Sequence, residues 1–186
     1  MAFPPWDADW KERRRRQDPA RLLRGLGLKA GQTFLDVGSG GGFFAAEASG
    51  IVGPDGKVIA IDADPAAIRR LSALGLSNVE AHVAEAEAYD YCRGCADVIF
   101  LGNVLHDFRD PRLALARMRR ALKPTGVLAD LDWVRAATEQ GPPLEKRMPP
   151  ERAARLMMDA GYDVTRKEPV GSTHYLLLGR ARPAQG

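Results

Sequence analysis

From Thr33 onward, short apolar runs alternate with longer stretches whose apolar residues recur at helical spacing, the pattern of βαβ units feeding a parallel sheet. It predicts strands over 33–37, 57–61, 79–83, 96–101 and 127–131, with helices near 42–49, 65–74 and 111–121. Two of these helices open on a proline, whose fixed φ and missing N–H suit a first helical turn. Gly53-Pro54-Asp55-Gly56 and Lys123-Pro124-Thr125-Gly126 read as turns before the second and fifth strands. After Trp133 come a loop rich in Gly and Pro, a helix over 150–160, and two strand-like segments, 163–168 and 173–179. The short turn 169–172 can only join an antiparallel pair, because a parallel connection needs a crossover. Ahead of this pattern, residues 1–17 carry Trp6, Trp10 and four consecutive arginines, Arg13 to Arg16. They read as an N-terminal arm, with a short helix following over 19–25. Residues 18–182 then form one domain and 183–186 a disordered tail.

A chain of 186 residues supports one domain with a real core and has little room for a second. Its net charge of +3 comes from 27 basic and 24 acidic residues mixed along the whole length, so charge alone does not mark a nucleic-acid binder. No apolar run approaches the roughly 18 residues of a membrane span. The N-terminus also lacks the apolar segment of a signal peptide, so a soluble, cytoplasmic protein without membrane contact is expected. The two cysteines, Cys92 and Cys95, make no disulfide framework and fit a reducing compartment.

The segment Phe34-Leu35-Asp36-Val37-Gly38-Ser39-Gly40-Gly41-Gly42-Phe43 follows a predicted strand and opens a predicted helix, the context of a nucleotide-binding loop. Glycines let backbone approach a ligand closely, and a helix N-terminus offers N–H groups to an anion. A dinucleotide fingerprint would place its last glycine at 43, where Phe stands; the spacing is instead G-x-G-x-G at Gly38, Gly40 and Gly42, which disfavours an NAD enzyme. Asp62 ends the second strand 20 residues after Gly42, where a ribose-binding acid is expected, while Asp64 reads as the N-cap of the next helix.

Together, Asp36 and the G-x-G-x-G loop, Asp62, the acidic turn Val83-Ala84-Glu85-Ala86-Glu87, the segment Asn103-Val104-Leu105-His106-Asp107-Phe108 and Leu122-Lys123-Pro124-Thr125-Gly126 resemble the ordered motifs of class I S-adenosylmethionine-dependent methyltransferases. The resemblance covers nearly all of residues 18–180 and is similar to compact members related to the quinone-biosynthesis and arsenite types. It implies an α/β, doubly wound, Rossmann-like sheet of seven strands, mostly parallel with the last strand antiparallel and helices on both faces. It also implies S-adenosylmethionine as cofactor, held by Asp36, Gly38, Ser39, Gly40, Gly42, Asp62, Ala63, Glu85, Ala86 and Asn103, with Glu85 at the adenine amino group. No metal is required. The acceptor is open: a small molecule, with an RNA or protein substrate, or a non-catalytic donor-binding subunit, as alternatives.

In an open α/β sheet the site lies at the carboxyl ends of the strands. His106 and Asp107 are the catalytic candidates there, since a histidine is easily poised to take a proton near neutral pH; packing against the donor is the other reading. Asn103 stands where adenine-N6 and glutamine methyltransferases carry Asn-Pro-Pro-Tyr, but Val104-Leu105-His106 departs from that motif. Asp132 with Trp133 either lines an acceptor pocket or is a strand-terminal acid bonded to a neighbouring loop. Cys92-x-x-Cys95 allows a thiol redox pair, half of a zinc site, arsenic binding, or two small residues packing a loop; no second ligand pair completes a zinc site. Arg13 to Arg16 are either a solvated helical face or an RNA contact assisted by Trp6 and Trp10. The short N-terminal extension and the short segment 133–149 imply a slight lid, with a homodimer one way to complete the pocket.

Overall fold

The computed structural model describes residues 7–183, so Trp6 and the last residues of the expected tail lie outside it. Seven strands form one sheet: β1 (Thr33–Val37), β2 (Lys57–Asp62), β3 (Val79–Val83), β4 (Ala96–Gly102), β5 (Leu122–Trp133), β6 (Tyr162–Val170) and β7 (His174–Ala181). Their order is β3-β2-β1-β4-β5-β7-β6. β1 to β5 pair in parallel, and β7 runs antiparallel to both β5 and β6. This is the expected doubly wound arrangement with an inverted last strand.

The central strands are apolar on both faces because helices cover both, and each face has its own core. On one face Phe34, Val58 and Phe100 meet helices α1 (Asp7–Arg16), α2 (Pro19–Gly25) and α3 (Phe43–Val52). On the other, Leu35, Ile99 and Leu128 meet α5 (Pro111–Ala121) and α6 (Pro150–Asp159). Helix starts follow local chemistry: Asp18, Asp64 and Asp110 accept from the N–H groups of Arg21, Ala66 and Leu113 at 3.0, 2.8 and 2.9 Å, each just before a proline. Asp64 thereby caps α4 (Pro65–Ser72), as expected.

Three differences from the sequence reading bear on function. The N-terminal segment forms helix α1, and Trp10 is buried edge-on against Phe43 with ring centroids 5.6 Å apart. Local composition could not reveal this contact, because Phe43 lies in the glycine loop's own helix. Lys123 to Gly126, read as a turn, are absorbed into the start of β5, where register against β4 shifts between Ala96 and Val98. Cys92 and Cys95, expected to make no disulfide framework, are joined sulfur to sulfur, with Cα atoms 5.9 Å apart.

Candidate functional site

The carboxyl ends of β1, β2 and β4 converge on a cleft of about 340 Å³ lined by Gly38, Asp62, Ala63, Glu85, Ala86, Asn103, Val104, Asp107 and Phe108, among others. Asp62 is the joint of this region. One of its carboxylate oxygens accepts from the Gly40 N–H at 2.7 Å and the other from the Asp64 N–H at 2.9 Å. The N–H groups of Gly38 and Ser39 also turn inward, to the Ile61 carbonyl at 2.8 and 3.0 Å. These amides tie the loop to β2, so the loop offers a ligand its shape more than a row of donors.

The loop glycines divide their work. A Cβ on Gly42, at φ +93°, would stand 2.4 Å from Leu71 Cδ1, so this glycine permits the contact with α4. A Cβ on Gly40, at φ +54°, would enter open space, leaving that side accessible.

Asp36 is buried below the loop, with its Oδ2 lacking any hydrogen-bond partner, and Ser39 Oγ is likewise unsatisfied. Burial, with the Asp62 charge adding to it, raises the Asp36 carboxyl to about 7 although the Arg13 guanidinium nearby works in the other direction. A buried carboxyl with an open oxygen is prepared for a cationic partner. The amino-acid ammonium of S-adenosylmethionine supplies one, and its ribose diol suits Asp62. The residues present therefore fit that molecule.

A second cleft, of about 330 Å³, lies across Asn103 from the first and is lined by Arg13, Gln17, Gly102, Asn103, Trp133, Gln140, Gly141 and His174. Asn103 belongs to both. It adopts φ +62°, which Asn tolerates better than most residues, and its N–H donates to the Leu131 carbonyl at 2.7 Å. Gln17 closes the floor: its Nε2 is 2.6 Å from His174 Nε2, and its Oε1 accepts from Arg13 Nε at 2.9 Å. The Trp133 ring packs at a tilt of 41° against His174, with centroids 4.1 Å apart. Arg147 fixes the neighbouring wall by donating to the carbonyls of Pro142, Ala136 and Gln140 at 2.8, 2.7 and 3.0 Å.

His106 sits in the single 3-10 turn Leu105–Asp107 after β4. Its side chain is only 3% exposed, and Nδ1 lies 2.8 and 2.9 Å from the two oxygens of the fully buried Asp132. Nε2 faces Asp107 at 3.5 Å. Burial pulls the His106 pKa down, but the hydrogen bond and charge of Asp132, with Asp107, outweigh it and hold the ring above its ordinary value. Asp130, two residues before Asp132 on the same buried face of β5, has neither oxygen satisfied; burial first, then the Asp132 charge, raises its pKa well above the carboxylate range.

A family model described as a methyltransferase domain matches residues 28–158. The chain belongs to that family. Its sequence is 34% identical over 125 residues to the ubiquinone/menaquinone biosynthesis C-methyltransferase UbiE of Escherichia coli O1:K1, covering 64% of this chain and 49% of that protein. The methyltransferase thus spans about half the length of the curated relatives it matches. Its fold superposes on an S-adenosylmethionine-dependent methyltransferase from Aquifex aeolicus with TM-score 0.85 and 32% identity, covering 96% and 98% of the two chains. A TM-score of 0.77 with the [4+2]-cyclase SpnF, at 16% identity over 90% of this chain and 81% of that one, reflects fold alone. These likenesses place the chain, by family, among the class I S-adenosylmethionine-dependent methyltransferases.

Of the residues named from sequence, the first cleft brings together Gly38, Asp62, Ala63, Glu85, Ala86, Asn103 and Asp107. Asp36, Ser39, Gly40 and Gly42 stand behind it, in the loop and its support. Glu85 is half exposed and 3.4 Å from the Arg109 guanidinium. His106 borders neither cleft, and Asp132 proves to be an acid bonded to the loop after β4. Gln17, Arg147 and His174 were not singled out from sequence. The only local signal for the buried acids was Asp130-x-Asp132 inside an apolar strand, which places two carboxyls on one face.

Proposed function

We propose that this methyltransferase transfers the methyl group of S-adenosylmethionine to a small-molecule acceptor that enters through the second cleft. The observation that carries this reading is the pair of clefts sharing Asn103, one headed by Asp62 and the other floored by Gln17 and His174. Methyl transfer from a sulfonium is an in-line displacement, so the protein must align two reactants, exclude water and, for a protonated acceptor, remove a proton. When bound, the donor supplies an activated methyl group. Asp36 would hold its ammonium, Asp62 its ribose, and Glu85 with Ala86 the adenine edge. Asn103 stands at the boundary where the acceptor's nucleophile would face the methyl carbon.

A proton leaving the acceptor would pass to Asp107, which borders the donor cleft, and through it to His106 Nε2, 3.5 Å away and itself outside both clefts. Asp132 would keep the ring oriented through Nδ1. A small acceptor is favoured over RNA because three of the residues read as an RNA contact are committed within the protein: Trp10 is buried, the Arg13 guanidinium lies 4.2 Å from the Phe43 ring centroid, and Arg14 pairs with Glu47 at 2.9 Å, which leaves Arg15 as the exposed member of the run whose side chain is described. The part UbiE plays in ubiquinone/menaquinone biosynthesis suggests a quinone-related compound for an early trial.

The test is uptake of radiolabelled methyl from S-adenosylmethionine with pooled metabolites, pooled RNA and protein extract in separate reactions. Label entering only the metabolite pool is expected. Label confined to RNA or protein would overturn the acceptor class, and no label anywhere despite donor binding would favour a non-catalytic subunit. With a working acceptor, His106→Asn should lower kcat by about 10²- to 10⁴-fold while donor Kd stays put.

A further inference from the structure

Between β3 and β4 the chain passes through residues 84–95 without a helix, and this segment carries two groups that methyl transfer does not use. Cys92 and Cys95 are joined, with a Cα separation of 5.9 Å that lies inside the range a disulfide spans without backbone movement. Both are partly buried against the core. The turn holding them has supports besides the sulfurs: Gly94 adopts φ +58°, and its N–H donates to the Arg120 carbonyl at 2.9 Å. Arg93, Asp90, Tyr89 and Tyr91 of this segment line a small recess together with Arg117 and Arg120 of α5.

The segment also reaches the donor cleft. Tyr91, adjacent to Cys92, is buried and donates its hydroxyl proton to the Ala86 carbonyl at 2.9 Å, and Ala86 lines that cleft.

We propose that Cys92 and Cys95 form a reversible thiol–disulfide site that exchanges with low-molecular-weight disulfides and, through Tyr91 and Ala86, adjusts donor binding. The thiolate of one cysteine attacks a sulfur of the small disulfide, giving a mixed disulfide and one small thiolate. The second cysteine, after losing its proton to solvent, displaces the other small thiolate and closes the intramolecular bond. Two protein thiols are oxidised and one small disulfide is reduced to two thiols, so electrons balance without a metal. The exchange itself is independent of the methyl-transfer reading; the effect on donor binding rests on it.

The full chain is equilibrated in mixtures of reduced and oxidised glutathione, trapped with an alkylating maleimide and weighed by mass spectrometry. A single transition from two labels to none, with no dimer, is expected, and Cys92→Ser should instead accumulate a glutathione adduct on Cys95. Two labels persisting in the most oxidising mixture, or disulfide-linked dimers, would overturn the site. S-adenosylhomocysteine titrated into the oxidised and reduced chains should bind about fivefold or more tightly to the oxidised one, the lower end of typical coupling between sites. The Cys92→Ser/Cys95→Ser double variant should match the reduced chain and ignore oxidant. Equal affinities would overturn the coupling while leaving the exchange site standing. Absence of nucleotide binding in both states, with the labelling transition intact, would overturn the donor reading and the coupling together.

Discussion

The cleft proposed for the donor and the cleft proposed for the acceptor are built differently. Asp36, Asp62 and Glu85 lie at or just past the ends of β1, β2 and β3, each within one loop of its strand, so local sequence specifies the donor cleft. The second cleft depends on Gln17 meeting His174 across 157 positions and on Arg147 gathering carbonyls of a loop that has no secondary structure of its own. A shared cofactor calls for a recurring local device, whereas the acceptor side is assembled from distant pieces. Variants should therefore damage the two halves separately.

The largest effect is expected from Gly40→Val. A branched residue is strained at φ +54°, and its side chain would enter space the fold leaves open. Nucleotide affinity should fall by roughly 3 kcal/mol or more while circular dichroism stays near wild type and the backbone strain lowers unfolding stability by only about 1 to 3 kcal/mol. Unfolding of the variant would make Gly40 a packing residue and blur the comparison. Asp62→Ala should follow, with a calorimetric loss of about 1.5 to 3 kcal/mol for charge-assisted hydrogen bonds to the ribose. An affinity within twofold of wild type would remove Asp62 from the donor site.

Arg147→Met probes the other half. Losing the bonds to the carbonyls of Pro142, Ala136 and Gln140 should lower unfolding stability by about 1 to 3 kcal/mol and expose the 134–147 loop to proteolysis. Donor Kd should remain within twofold. A parallel loss of donor affinity would mean that the halves are coupled.

The smallest effect concerns pH. Burial raises Asp36 to about 7, so the native chain keeps a proton that the unfolded chain has lost. Stability without ligand should therefore fall as pH rises from the ordinary carboxylate range to about 7 and level off above it. Donor binding needs the ionised form to meet an ammonium, so its affinity should strengthen about tenfold between pH 6 and pH 8. Asp36→Asn should flatten both profiles, and an unchanged pH dependence in that variant would assign it to another group.

The strand pattern from Thr33 to Leu131 was legible because parallel strands buried on both faces read as apolar runs, and the inverted final pair followed from the shortness of the 169–172 turn. That Gly38, Asp62, Ala63, Glu85, Ala86 and Asn103 would share one cleft was legible because each stands at or just past a strand end. Helix α1 was not, since its reason for existing is Trp10 against Phe43, a contact no local window contains. His106 was found by residue type and loop position; its inward direction depends on Asp132 from another strand. Gln17 and His174 gave no signal, because one polar residue acquires meaning only when the other arrives.

The account's central claim is that Asp36, the glycine loop and Asp62 form a site for S-adenosylmethionine. Its most direct test is calorimetric titration of the wild-type chain with S-adenosylhomocysteine and, separately, with NAD. Micromolar-range binding of the sulfur nucleotide and none of NAD is the expected result; binding of NAD with no response to either S-adenosylhomocysteine or S-adenosylmethionine would contradict it.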